Sequence, residues 1–135
     1  MMFYLYLLVF VVALAFLFFK IGRRKKGFSA ADFAYVAKHW KNVSGLLKDN
    51  PSLAVLEGDK LLDFCIGKKC PRYKKLSLGE KLKSCGALFS DINGVWSAHK
   101  LRNRIAHELS LNVSSSECSR AISVFKRALN DLGAL

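Results

Sequence analysis

An all-α fold is predicted, with an N-terminal transmembrane helix followed by a small bundle of four to five helices. Three observations predict it. Residues 1–19, MMFYLYLLVFVVALAFLFF, are apolar without exception. Ser-x-x-Asp/Glu capping signals then recur along the rest of the chain, and apolar residues follow them at spacings of three and four. The chain has 135 residues, 52% hydrophobic, with a net charge of +12. Removing residues 1–19 leaves an ordinary globular composition. Three short clusters carry the basicity: 20–26 with +5, 68–75 with +5 and 100–104 with +3. With 9 Gly, 2 Pro and 4 Cys, collagen-like, low-complexity and disulfide-scaffold classes are excluded.

Taken in order, the organisation reads 1–20 as a transmembrane anchor, 21–28 as a basic juxtamembrane linker and 29–135 as a helical bundle. Nineteen uncharged residues at ~1.5 Å each give roughly 28 Å of helix, close to the hydrocarbon thickness of a bilayer. A cleaved signal peptide is the rival reading. It requires positive charge before the apolar run, whereas here Lys20, Arg23, Arg24, Lys25 and Lys26 follow it. Under the positive-inside rule those residues lie at the membrane surface, the N-terminus outside and the C-terminal part in the cytoplasm.

The first bundle helix is expected near 29–48. Ser29 with Asp32 opens it, and Phe33, Val36, Ala37, Trp40, Val43 and Leu47 give it one apolar side. Asn50-Pro51 is an N-cap followed by proline at the first helical position, which starts a second helix near 51–66. Gly58 weakens the middle of that helix. The stretch IGKKCPRYKK at 66–75 reads as a basic surface loop. Ser77 with Glu80 opens a third helix near 77–89. Ile92, Val95, Trp96, Ile105 and Ala106 outline a fourth near 94–109. Ser114 with Glu117 precedes a fifth near 115–132, with Gly133 placed to terminate it. A cytoplasmic location keeps Cys65, Cys70, Cys85 and Cys118 as thiols, and no His pair completes a zinc site. No phosphate-binding loop, nucleophile elbow or cofactor motif is present.

The distinctive segment is Trp96-Ser97-Ala98-His99-Lys100-Leu101-Arg102-Asn103-Arg104-Ile105-Ala106-His107. Arg102, Asn103 and His107 form an R-N-x-x-x-H pattern in the penultimate helix of an all-α chain. In this the chain resembles the HEPN superfamily, over roughly residues 29–132. The resemblance implies a small helical bundle, a homodimer with the two motifs facing each other, and metal-independent endoribonuclease activity. Some toxin-type members continue with Tyr after the motif. Here Glu108-Leu109-Ser110 follows, and no such Tyr is available.

The chemistry supports this expectation independently. Histidine manages protons near neutrality, and a guanidinium stabilises charge growing on a phosphate. Asn103 precedes His107 by four residues and shares its face. Arg102 precedes it by five, about 140° round the helix, so a cleft between two subunits is needed to bring the pair together. His99 is a third candidate, one turn before Asn103. Lys100 and Arg104 beside the motif are candidate RNA phosphate contacts. The alternative is a non-catalytic anchored module that holds a protein, nucleotide or RNA partner. In that reading Arg102 pairs with Glu108 or with an acid of the second helix, Glu57, Asp59 or Asp63.

Overall fold

The computed structural model describes residues 1–22, 27–108 and 112–135, with the side chains at 3 and 17–22 outside the description. Helix α1 spans Met2–Gly22, α2 Ala30–Asp49, α3 Pro51–Lys69, α4 Leu78–Cys85, α5 Ile92–His107 and α6 Ser115–Asp131. Short 3₁₀ turns occupy Pro71–Tyr73 and Gly86–Leu88, and no strand occurs among the described residues.

The transmembrane expectation is overturned. Among the described residues no helix is long and apolar enough to cross a membrane. The single-pass topology falls with this finding, as do the outside N-terminus and the cytoplasmic orientation derived from it. Arg23, Arg24, Lys25 and Lys26, with the side chain of Lys20, lie outside the described residues.

The helix starts follow local hydrogen-bond chemistry. Ser29, Ser77 and Ser114 each accept from the backbone N–H three residues on, and Asp32, Glu80 and Glu117 return the bond to the serine N–H. Each box satisfies donors that the first helical turn leaves unpaired. Asn50 caps α3 through Leu53 N at 3.1 Å, with Pro51 at the first helical position. Asp91 caps α5 through Gly94 N at 2.9 Å. At the end of α6, Gly133 adopts φ 70°, its N–H meeting Asn130 O at 2.8 Å while Ala134 N–H meets Leu129 O at 2.9 Å. This is the paired terminator that a residue tolerant of positive φ permits.

Helix α3 lies at the centre of the bundle, packed against α2, α5 and α6. Its buried residues Ala54, Val55, Leu61, Leu62, Cys65 and Ile66 point to several sides, because several helices surround it. Phe125 of α6 is fully buried and lies over Gly58. A methyl group added at Gly58 would stand 2.8 Å from Phe125 Cδ2. Gly58 therefore sets how closely α3 and α6 approach, a packing role that offsets its helical disadvantage.

Two predictions follow from this architecture. Gly58→Ala is expected to cost about 1–3 kcal/mol by overpacking. Gly45→Ala in α2, where nothing lies within 4 Å of the added carbon, should gain about 0.5–1 kcal/mol. Urea denaturation of the two variants checks the opposite signs.

The second prediction concerns acid. The Lys68 ammonium, together with Ser29, holds the Asp32 carboxyl down at about 2. Bonds from Ser77 lower Glu80, and bonds from Ser114 lower Glu117. A carboxyl lowered on folding contributes stability above its unfolded value near ~4 and loses it as pH falls toward the folded value. Melting temperature should therefore be level above pH ~5 and decline between about pH 4 and 2. Asp32→Asn should flatten the lower part of that decline.

Candidate functional site

Helix α5 turns Val95, Ala98 and Leu101 into the core and carries His99, Arg102 and Asn103 on its half-buried flank. Asp59 of α3 meets this flank and is only 4% exposed. His99 Nδ1 lies 2.8 Å from Asp59 Oδ1. Arg102 Nε faces Asp59 Oδ2 at 3.4 Å, and Arg102 Nη1 donates to Asn103 Oδ1 at 3.1 Å. Asn103 Nδ2 lies 3.4 Å from His99 Nε2, which closes a ring of four side chains.

The ring fixes the proton positions. A carboxylate only accepts, so the imidazole donates from Nδ1 to Asp59. Arg102 only donates, so the Asn103 oxygen faces it and the amide nitrogen faces His99. In this arrangement the imidazole Nε2 faces the Asn103 amide nitrogen as an acceptor. Arg102 Nε is buried and makes no hydrogen bond, so its attraction to Asp59 is that of a charge pair without good bond geometry.

These side chains line an open cleft of about 450 Å³, together with Lys60 and Asp63 of α3 and Ser77 and Gly79 at the start of α4. Gly79 lies over the imidazole, where an added methyl group would stand 3.9 Å from His99 Nε2 in ordinary van der Waals contact. The cleft offers a fixed imidazole, an amide and a guanidinium within a few ångströms of one another. This set can orient a phosphate and handle a proton.

The structure brings some of the expected residues together and separates others. Arg102 and Asn103 share the cleft. His107 is the last residue of α5 and is exposed, without a hydrogen bond or ion pair to any described residue. Lys100 and Arg104 line a different groove, about 580 Å³, between α5 and α6 with Glu117 and Arg120. Of the acids considered for Arg102, Asp59 is the partner, while Glu108 lies 4.0 Å from Arg104 instead. The pairing of Asp59 with His99 has no sequence signal, because the two are 40 positions apart.

The cysteines form no cluster with this site. All four are free thiols. Burial pushes Cys65 up to about 12 and Cys85 up to about 11, and it raises Cys118. Such thiols are poor nucleophiles and poor metal ligands near neutrality. No group of three or more His, Cys, Asp and Glu side chains placed to hold a metal ion occurs among the described residues.

Comparison with known proteins gives no match: no protein-family model, curated protein or solved structure is similar to the chain. The reading of the site therefore rests on its own residues.

The ring makes a quantitative expectation. Asp59→Asn removes the charge that faces Arg102 and the acceptor that holds His99, and should cost about 3 kcal/mol or more. Combined with Arg102→Met, the loss should be smaller than the sum of the two single losses by about 0.5–3 kcal/mol. A double-mutant cycle in urea measures this coupling.

Proposed function

We propose that the chain is a HEPN-like, metal-independent endoribonuclease that works as a homodimer. The observation that supports this most directly is the convergence of Arg102, Asn103 and His99 on one open cleft, with Asp59 fixing them from behind. In the reaction the ribose 2′-oxygen attacks the neighbouring phosphorus. The P–O5′ bond breaks, giving a 2′,3′-cyclic phosphate and a 5′-hydroxyl. One proton leaves the 2′-oxygen and one is delivered to the 5′-oxygen.

The residues divide these tasks according to their chemistry. Arg102 has five N–H donors, of which one is engaged by Asn103, and the outward ones bind the phosphate oxygens as charge grows on them. Asn103 holds the guanidinium in place and presents its amide to the cleft. His107 of a second copy manages the proton, because the same subunit's His107 stands at the exposed end of α5, away from the cleft. Dimerisation is thus part of the mechanism.

A second reading is supported by the closure of the ring. Arg102 and Asn103 are already engaged with Asp59 and His99, as they would be in a non-catalytic helical module that holds a partner protein, nucleotide or RNA.

The test uses the full chain in neutral detergent, which covers the exposed apolar side chains of α1. Dimer mass is measured first, followed by cleavage of labelled RNA in excess EDTA. Arg102→Ala and His107→Ala should each lower the rate by about 100-fold or more. A two-fold dimer that takes Arg102 from one subunit and His107 from the other makes a further demand. An equimolar mixture of the two variants should regain about a quarter of the wild-type rate, since half the dimers are mixed and each has one intact site. Cleavage that survives both substitutions, or that never appears in the wild type, overturns the enzymatic reading in favour of the second.

A further inference from the structure

A larger cleft, about 660 Å³, lies beside the motif cleft and shares Lys60 and Asp63 with it. The start of α2, the second half of α3, the Pro71–Tyr73 turn and α4 frame it. Four lysines line it, Lys60, Lys68, Lys74 and Lys81, against two carboxylates, Asp32 and Asp63. The charged run at 68–75, which reads in sequence as a basic surface loop, therefore contributes Lys68, Pro71 and Lys74 to the lining of a concave site.

Lys81 is the unusual member. It is 3% exposed, yet its Nζ reaches Asp63 Oδ1 at 2.7 Å and Asp63 O at 3.5 Å. A lysine this deeply buried keeps its charge only with such a partner. An ammonium has three N–H donors, and Asp63 accounts for two of them, which leaves one for a further acceptor in the cleft. Lys68 lies 2.9 Å from Asp32 Oδ1 and 5.4 Å above the Phe64 ring. Asp32 bonds Ser29 through its other oxygen, so an incoming anion can draw Lys68 away without undoing the α2 cap. Lys74 is exposed and makes no ion pair with a described residue. Lys69, Arg72 and Lys75 belong to the same basic run.

We propose that this cleft binds phosphate groups through Lys68, Lys74 and Lys81. Ammonium groups are point-like donors suited to the tetrahedral array of phosphate oxygens, and a concave wall of low polarisability strengthens their field. The ligand carries at least two phosphates, because two separate donor groups, Lys81 in the wall and Lys74 at the mouth, are available beyond the existing ion pairs. Its source is a free polyphosphate or the backbone of a single-stranded nucleic acid. The site does not depend on the catalytic reading, since it uses none of Arg102, Asn103 and His107.

The experiment measures binding, so the presence or absence of RNA cleavage does not affect its outcome. Full-length protein in neutral detergent and EDTA is titrated with inorganic pyrophosphate by calorimetry and with a labelled 12-residue oligouridylate by anisotropy. At least one probe should bind saturably. Lys68→Gln with Lys74→Gln should weaken that probe about tenfold, and for the oligonucleotide should lower the slope of log affinity against log salt by about 1.4. Lys41→Gln with Lys126→Gln removes the same charge from exposed positions elsewhere and should leave affinity within about twofold. Competition between the two probes identifies the nucleic-acid backbone as a source, and binding of pyrophosphate alone identifies a free polyphosphate. Failure of both probes to bind saturably overturns the proposal. So does an equal loss in the two double variants, which would mark the attraction as a property of net charge.

Discussion

A carboxylate that is 4% exposed persists in a helical bundle only if cations and donors surround it, and Asp59 draws α5 onto α3 for that reason. Its two oxygens take different partners, His99 on one and Arg102 on the other, so a single side chain fixes two positions of α5 about one turn apart. Gly58, the preceding residue, allows α6 to approach α3 closely through Phe125. The two neighbours thus set the spacing of three helices. The geometry of the cleft depends on both, because Arg102 and Asn103 face one another only while Asp59 holds the ring closed.

The helix starts were legible because they are local. Ser29, Asn50, Ser77 and Ser114 cap helices beginning one residue later, as their side-chain chemistry and spacing require. Helix ends were less legible. The second bundle helix was expected to stop near 66 and continues to Lys69, since Gly67 is buried against Lys74 and Lys81 and its neighbours favour the helical ladder. The third was expected to reach 89 and ends at Cys85, where Gly86 starts a 3₁₀ turn against Ile92. Both differences come from tertiary contacts, which override propensity at the last turn. The N-terminal run shows the opposite failure. Apolar composition over 1–19 was read as a span, and among the described residues no helix meets the length and hydropathy that a span requires.

At the site, the sequence placed residues on a helix but not in a cleft. His99, Asn103 and His107 recur every four positions. Four residues advance about 400°, so the second is displaced ~40° from the first and the third ~80°. The first two meet at 3.4 Å, whereas His107 has turned away to the exposed end of α5. Lys100 and Arg104 sit on the side that faces α6, and they share a groove with Arg120 rather than with Arg102. Asp59 was visible only as one of three acids able to reach Arg102. Its bond to His99 depends on how α3 and α5 cross, which local spacing does not encode.

The two clefts are connected electrostatically through α3. Asp59 and Asp63 are four residues apart on that helix, a spacing at which like charges repel. Each is compensated by a cation from a different helix, Arg102 of α5 for Asp59 and Lys81 of α4 for Asp63. Lys60, between them, is drawn outward to Glu57 at 2.7 Å. Lys81 meets Asp63 with two of its three N–H donors, so a ligand at the third leaves that ion pair in place. The two carboxylates thus keep separate counter-ions, brought by two different helices, although both project from one buried helix.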